Sequence, residues 1–322
     1  MRPTAFPVID GIEINNWDRA LFEQLHAGGV SCVHATAAVW EGARRTLDRL
    51  ITWDRLFRDH ADLIMPAACS ADVLTARQQG RTAVMLGFQN TAPIEDDPGL
   101  IPIFHRLGVR IIQLTYNIQN LVGSACFDLD DGGLTRFGRT VIAEMERVGI
   151  LIDCSHVGDR TTLEAIDAAQ GPVAITHANP RWFCDSPRNK PDDVIDALAR
   201  RGGVIGLTLY PNFIGGAQTS LDEFCAMAAK LVDRIGVEHV AIGSDLACGW
   251  SDADLVALRH GRTRPDAPAA SWPRWQPWFR SPADFPRLMD GLAAAGFTDT
   301  ELRAIMGGNW MRLWDQTMNA PR

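Results

Sequence analysis

The feature that most restricts this chain is a rhythm. Short β-branched apolar runs recur, each followed by a polar or glycine turn and then a helical stretch. Eight such runs occur, at Val8–Ile14, Val30–Thr36, Thr82–Gln89, Arg110–Tyr116, Leu151–His156, Val173–His177, Val204–Leu209 and His239–Asp245. Several are apolar at almost every position, as parallel strands buried on both faces must be. Between them, stretches such as Asp18–Ala27, Gly138–Val148, Asp192–Arg200 and Leu221–Ile235 repeat apolar residues at helical spacing. Eight strand–helix alternations in 322 residues favour a closed (β/α)8 TIM barrel over an open doubly wound sheet. No repeat or linker divides the sequence, so residues 1–322 read as one α/β domain. A Pro/Trp-rich loop at about 250–282 follows the last strand.

Charge narrows the partners. With 31 Lys+Arg against 39 Asp+Glu the net charge is −8, and no basic run is present. Nucleic acid and anionic membrane surfaces are therefore poor partners, and a small-molecule substrate is expected. No apolar stretch approaches the roughly 20 residues of a membrane span, and the start, MRPTAFPVID, lacks the apolar core of a secretory signal. The seven cysteines are odd in number, scattered and without a CxxC pair, which suits reduced thiols and a cytoplasmic protein.

In a TIM barrel the active site forms where the strands end at their C-terminal mouth. Here the runs end in Ile12/Ile14, His34/Thr36, Gln89/Asn90, Tyr116/Asn117, His156, His177, Tyr210 and Asp245. Polar side chains closing apolar strands are costly to bury unless hydrogen-bonded or ligated. Neighbouring strands lie about 4.8 Å apart, so His156 and His177 at equivalent heights could share one ion. Asp245 joins them at the rim.

At these residues the chain resembles a known family. DCSHVG, ITHANPR, SPRNKPDD, HVAIGSD, GGNWMRL and LGVRIIQLTYN occur in order over nearly the whole length. Together they resemble the membrane (renal) dipeptidase family of metallopeptidases. The resemblance implies an amidohydrolase-type (β/α)8 barrel, two zinc ions bridged by a glutamate, and hydrolysis of dipeptides, some with a C-terminal D-residue. It implies that His156 and His177 ligate one zinc, that Asp245 stands beside the attacking water, and that Arg188 binds the substrate carboxylate. Asn179, which opens the loop to Pro191, and Gln89 are expected to contact substrate.

The departures matter as much. The family's first strand carries a His-x-Asp pair that ligates the other zinc, and here both positions are isoleucine, Ile12 and Ile14. Glu13 between them should point outward from the barrel. Gln89 replaces the bridging glutamate, and a neutral amide cannot offset two dications. Tyr116 replaces a histidine at the reacting carbonyl, where its hydroxyl could donate to an oxyanion. At most one zinc is expected, on His156 and His177, with Asp245, Gln89, Cys32 or His34 as the further ligand; Cys32 and His34 read first as barrel packing. Asp245 is the expected general base. The chemistry expected is hydrolysis of a small amide or dipeptide-like substrate bearing a carboxylate, with weak activity on ordinary dipeptides. The alternative is a barrel that binds an amino-acid-like ligand without hydrolysis or works without metal.

Two further features shape the mouth. The loop after the last strand contains Pro265, Pro268, Trp272, Pro273, Trp275, Pro277, Trp278 and Pro282. A polyproline path would set its three tryptophans along one edge, as a lid, a homodimer contact or a strap on the helices. In GGNW, Asn309 is expected to cap the last helix.

Overall fold

The structure, a computed structural model, describes residues 5–259, 261–262 and 269–318. Nine parallel strands form one sheet: β1 (Val8–Glu13), β2 (Val30–Ala38), β3 (Ile64–Pro66), β4 (Thr82–Phe88), β5 (Val109–Gln113), β6 (Leu151–Asp153), β7 (Ala174–Ile175), β8 (Val204–Leu207) and β9 (Val240–Ile242). The order β1-β2-β4-β5-β6-β7-β8-β9 runs around the barrel, and β3 hangs outside it on β4. Closure comes from the loop past β9, where Ile14 N–H donates to Leu246 O at 2.8 Å and Asp245 N–H to Ile12 O at 3.2 Å. All eight expected strands are present. Only β3 was not anticipated; at three residues ending in Pro66 it gives too short a signal.

The helices Asp192–Arg200 and Leu221–Ile235 have the expected bounds, and Arg19–Ala27 starts behind Asp18, whose side chain accepts the Leu21 N–H. Their apolar faces bury the barrel's outer surface, with Val33, Val84, Ile112, Ile152 and Ile205 in one continuous core. A second, inner cluster fills the barrel floor with Ile9, Cys32, Met85, Ile111 and Leu151, and the last helix, Asn309–Met318, adds Trp310 and Trp314 to it. Trp310 Nε1 donates to Ile242 O at 2.9 Å. This plug needs glycine at residue 11: a Cβ there would lie 2.6 Å from the Trp310 ring. Asn309 does not cap its helix. Its amide nitrogen donates to the Val237 and Val240 carbonyls, 2.7 Å each, tying the helix to the start of β9.

The proline-rich segment splits its tryptophans. Trp272 and Trp275 pack edge-on against Tyr210 at the mouth, whereas Trp278 is buried beside Phe224 and bonds the Thr219 carbonyl. They do not share one edge. Pro265 and Pro268 lie outside the described residues. Among the described residues no helix is long and apolar enough to cross a membrane, and all seven cysteines are free.

Glu13 lies in a buried pocket beside Asp10. Asn15 donates to its carboxyl, while Asp10 takes the Ser244 N–H at 2.7 Å. Burial raises both carboxyls, Asp10 to about 6 and Glu13 well above its ordinary value, the latter also through the charge of Asp10. A carboxyl whose pKa rises on folding stabilises the fold below its unfolded pKa, and that contribution is lost as pH climbs through the folded value. Stability should therefore fall from about pH 4 through pH 6 and beyond. Glu13→Gln, which keeps the shape without the charge, should raise stability near pH 8. Urea melts at about pH 5 and pH 8 read this directly; an unchanged pH dependence would contradict it.

Candidate active site

A cavity of about 520 Å³ opens at the C-terminal mouth, and its walls include Ile14, Tyr116, His156, Tyr210 and Asp245. His156 lines it and meets the fully buried His177. His156 Nε2 and His177 Nε2 lie 2.9 Å apart, and His156 Nδ1 lies 2.8 Å from Asn117 Oδ1. The amide oxygen can only accept, so Nδ1–H of His156 donates to it and its Nε2 must accept from His177. The remaining His177 nitrogen meets the Thr176 hydroxyl at 2.8 Å. Both rings are neutral, because burial and the nearby Arg188 charge hold their pKa values well below the ordinary range. Tyr116 stacks on His156 with ring centroids 4.0 Å apart, and Trp40 backs it edge-on. Burial and the Asp245 charge push the phenol pKa upward, so the hydroxyl keeps its proton.

Asp245 faces this cavity from the strand end after β9, in a left-handed backbone conformation with φ 59°. Burial raises its carboxyl to about 7, although the Arg188 charge opposes the rise. A carboxyl at that value exchanges protons readily near neutrality.

The substrate-binding residues expected from the sequence are placed differently. Arg188 is fully buried and lines no wall of the cavity. Its terminal nitrogens donate to the Ser155 and His177 carbonyls, 2.6 Å each, and its Nε is left without a partner. Among the described residues it has no ion-pair partner, so its charge is felt across the mouth. Asn179 ties loops together through the Thr208 and Phe213 carbonyls at 2.9 and 3.1 Å. Gln89 donates to Thr36 Oγ1 at 2.8 Å. Cys32 sits in the inner floor cluster, its thiol pushed up by burial, and His34 donates to Gly11 O at 2.7 Å with its pKa lowered to about 4.

Lys190 and Phe213 were missed by sequence reasoning. Lys190 is fully buried and donates to Val157 O at 2.5 Å, and Phe213 lies under the Arg188 guanidinium at 5.0 Å. The PRNK motif held the signal for the lysine. Nothing marked the phenylalanine.

The donor set does not fit a zinc pair. Ile12 is fully buried and Ile14 lines the cavity, and neither side chain can ligate a metal. Among the described residues no three His, Cys, Asp or Glu side chains gather closely enough to hold a metal. Even one ion is short of the three protein ligands usual in catalytic zinc sites.

Comparison with known proteins agrees with this fold. Residues 14–255 match the family model described as membrane dipeptidase, peptidase family M19. The chain belongs to the membrane dipeptidase family. An amidohydrolase from Pseudomonas aeruginosa of known structure is 35% identical, with a TM-score of 0.94 over 98% of this chain and 97% of that one. The dipeptidase verJ of Clonostachys rogersoniana is 28% identical over 286 residues, 86% of this chain and 66% of the relative. An uncharacterized dipeptidase of Schizosaccharomyces pombe is 31% identical over 210 residues, 63% of this chain and 50% of the relative. The aligned regions thus span between half and two thirds of these curated dipeptidases. Membership makes this a hydrolase-family barrel.

Proposed function

We propose that this chain hydrolyses a small, dipeptide-like amide bearing a carboxylate, using Asp245 and Tyr116 as its reacting groups. The observation that carries this reading is their convergence with His156 on one cavity, backed by the buried Arg188 charge. Ionised Asp245 takes a proton from a water as its oxygen attacks the amide carbon. Tyr116 donates to the oxyanion of the tetrahedral intermediate, the charge that preorganised donors stabilise best. The proton on Asp245 then passes to the leaving nitrogen as the C–N bond breaks. A metal content of at most one zinc, on His156 and His177, belongs to this reading, and no step above depends on it.

Arg188 supplies selectivity through its charge, which lies too deep for a surface counter-ion to screen. Arg188→Met, which removes the charge, should weaken a carboxylate ligand and leave its neutral amide analogue nearly unchanged. Equal loss for both ligands would make Arg188 an anchor of the loop 179–191 only.

The overall test is steady-state hydrolysis of a dipeptide panel with and without added zinc. Cleavage abolished by Asp245→Asn supports the reading. A binding barrel without hydrolysis, the reading that Ile12 and Ile14 favour, would show ligand binding and no turnover under either condition.

A further inference from the structure

A second cleft, of about 660 Å³, adjoins the mouth on the β1–β2 side and shares Ile14, Trp250 and Leu258 with the first cavity. One stripe of the helix Ala43–Asp59 forms its outer wall, including Arg45, Thr52 and Trp53. Trp17 and Trp40 complete an aromatic lining, and Trp40 also touches Tyr116, with ring centroids 5.5 Å apart. The two spaces therefore adjoin beside the proposed reacting group. At that seam stands Ile14.

The polarity of the cleft is one-sided. Its acids are engaged: Glu41 accepts the Val39 and Trp40 N–H groups at 2.9 and 3.1 Å and pairs with Arg49, and Asp254 accepts from Ser251. Arg262 lies over the Trp40 ring at 4.4 Å, and among the described residues neither it nor Arg45 has an ion-pair partner. A free α-ammonium entering here would meet isoleucine, indole rings and cations. A flat apolar group would meet ring faces.

We infer that this cleft is the acyl subsite of the same active site, and that the substrate class is N-acylated amino acids with a planar apolar acyl group, not free dipeptides. The inference rests on the mouth being the reacting site. The carboxylate end lies toward Arg188 and the acyl group reaches past Ile14 between Trp17, Trp40 and Trp250. Each space falls within the range of pockets that enclose drug-sized ligands, and together they hold more than a dipeptide needs.

Binding tests this separately from turnover. N-(2-naphthoyl)glycine and N-acetylglycine are titrated into the full-length protein by calorimetry, then into Thr52→Trp, which fills the cleft from an exposed helix position. The naphthoyl compound should bind at least about 10-fold more tightly, as buried aromatic contact area requires. Thr52→Trp should remove that preference and leave N-acetylglycine binding within about 2-fold. Equal affinities in the unmodified protein, or a preference that survives Thr52→Trp, would overturn the subsite. Hydrolysis is read in parallel. Naphthoyl preference without cleavage keeps the subsite and defeats the hydrolase reading, whereas cleavage of free dipeptides with no naphthoyl preference does the reverse.

Discussion

Asp245→Asn should lower kcat by about 10²–10⁴-fold, the usual contribution of a positioned general base. KM should change little, because the substrate's carboxylate and acyl group are held elsewhere. In the unmutated enzyme kcat/KM should rise with pH and level off above about 7, following ionisation of Asp245. Stability should move the opposite way to activity. The folded pKa is raised, so this carboxyl stabilises the fold below its unfolded value near 4 and loses that contribution as pH climbs through about 7. Asp245→Asn should therefore be more stable than the unmutated protein near pH 8, by about 2–4 kcal/mol. An inactive variant that is also destabilised at that pH would assign Asp245 to the fold. Paired kinetic and urea-melt profiles separate the two.

The second large effect follows from a donor set that does not fit a zinc pair. Without the bridging carboxylate and the first-strand ligands, two means of activating water and polarising the carbonyl are missing. Hydrolysis of ordinary L,L- and L,D-dipeptides should be at least about 100-fold below that of a dinuclear enzyme, or about 2.7 kcal/mol in transition-state stabilisation. The triple variant Ile12→His, Ile14→Asp, Gln89→Glu should bind more zinc and recover dipeptide hydrolysis in part, with Tyr116 as the residual limit. Gln89 makes one side-chain bond, to Thr36, so its exchange for glutamate disturbs little. An unmutated protein with kcat/KM above roughly 10⁴ M⁻¹s⁻¹ on Ala-Ala would show that other groups compensate.

The barrel was legible because strand burial on both faces writes itself as apolar runs, and a run such as Val204–Leu209 has no other use. The proposed reacting groups were legible for a related reason. Tyr116, His156, His177 and Asp245 end those runs, so placing the strands placed them. What the sequence withheld were the partners that loops bring. Arg188 looks like a free carboxylate binder in PRN, yet the path of its loop delivers both guanidinium ends to carbonyls of β6 and β7 strand ends. Asn179 and Asn309 likewise serve distant carbonyls, contacts set by tertiary packing and not by spacing. The Trp272–Trp278 repeat fails because Trp278 finds a buried partner in Phe224 before a polyproline edge can form.

The central claim is that a membrane dipeptidase-family barrel has exchanged its zinc pair for a site built on Asp245, Tyr116 and a hydrogen-bonded histidine pair. Metal content tests it most directly, measured by mass spectrometry on protein purified without chelator and then equilibrated with excess zinc and desalted. One equivalent per chain or less is predicted, with any bound ion lost in the double variant His156→Ala, His177→Ala. Two equivalents, retained through desalting and lying the roughly 3.5–4 Å apart of a bridged pair, would contradict it.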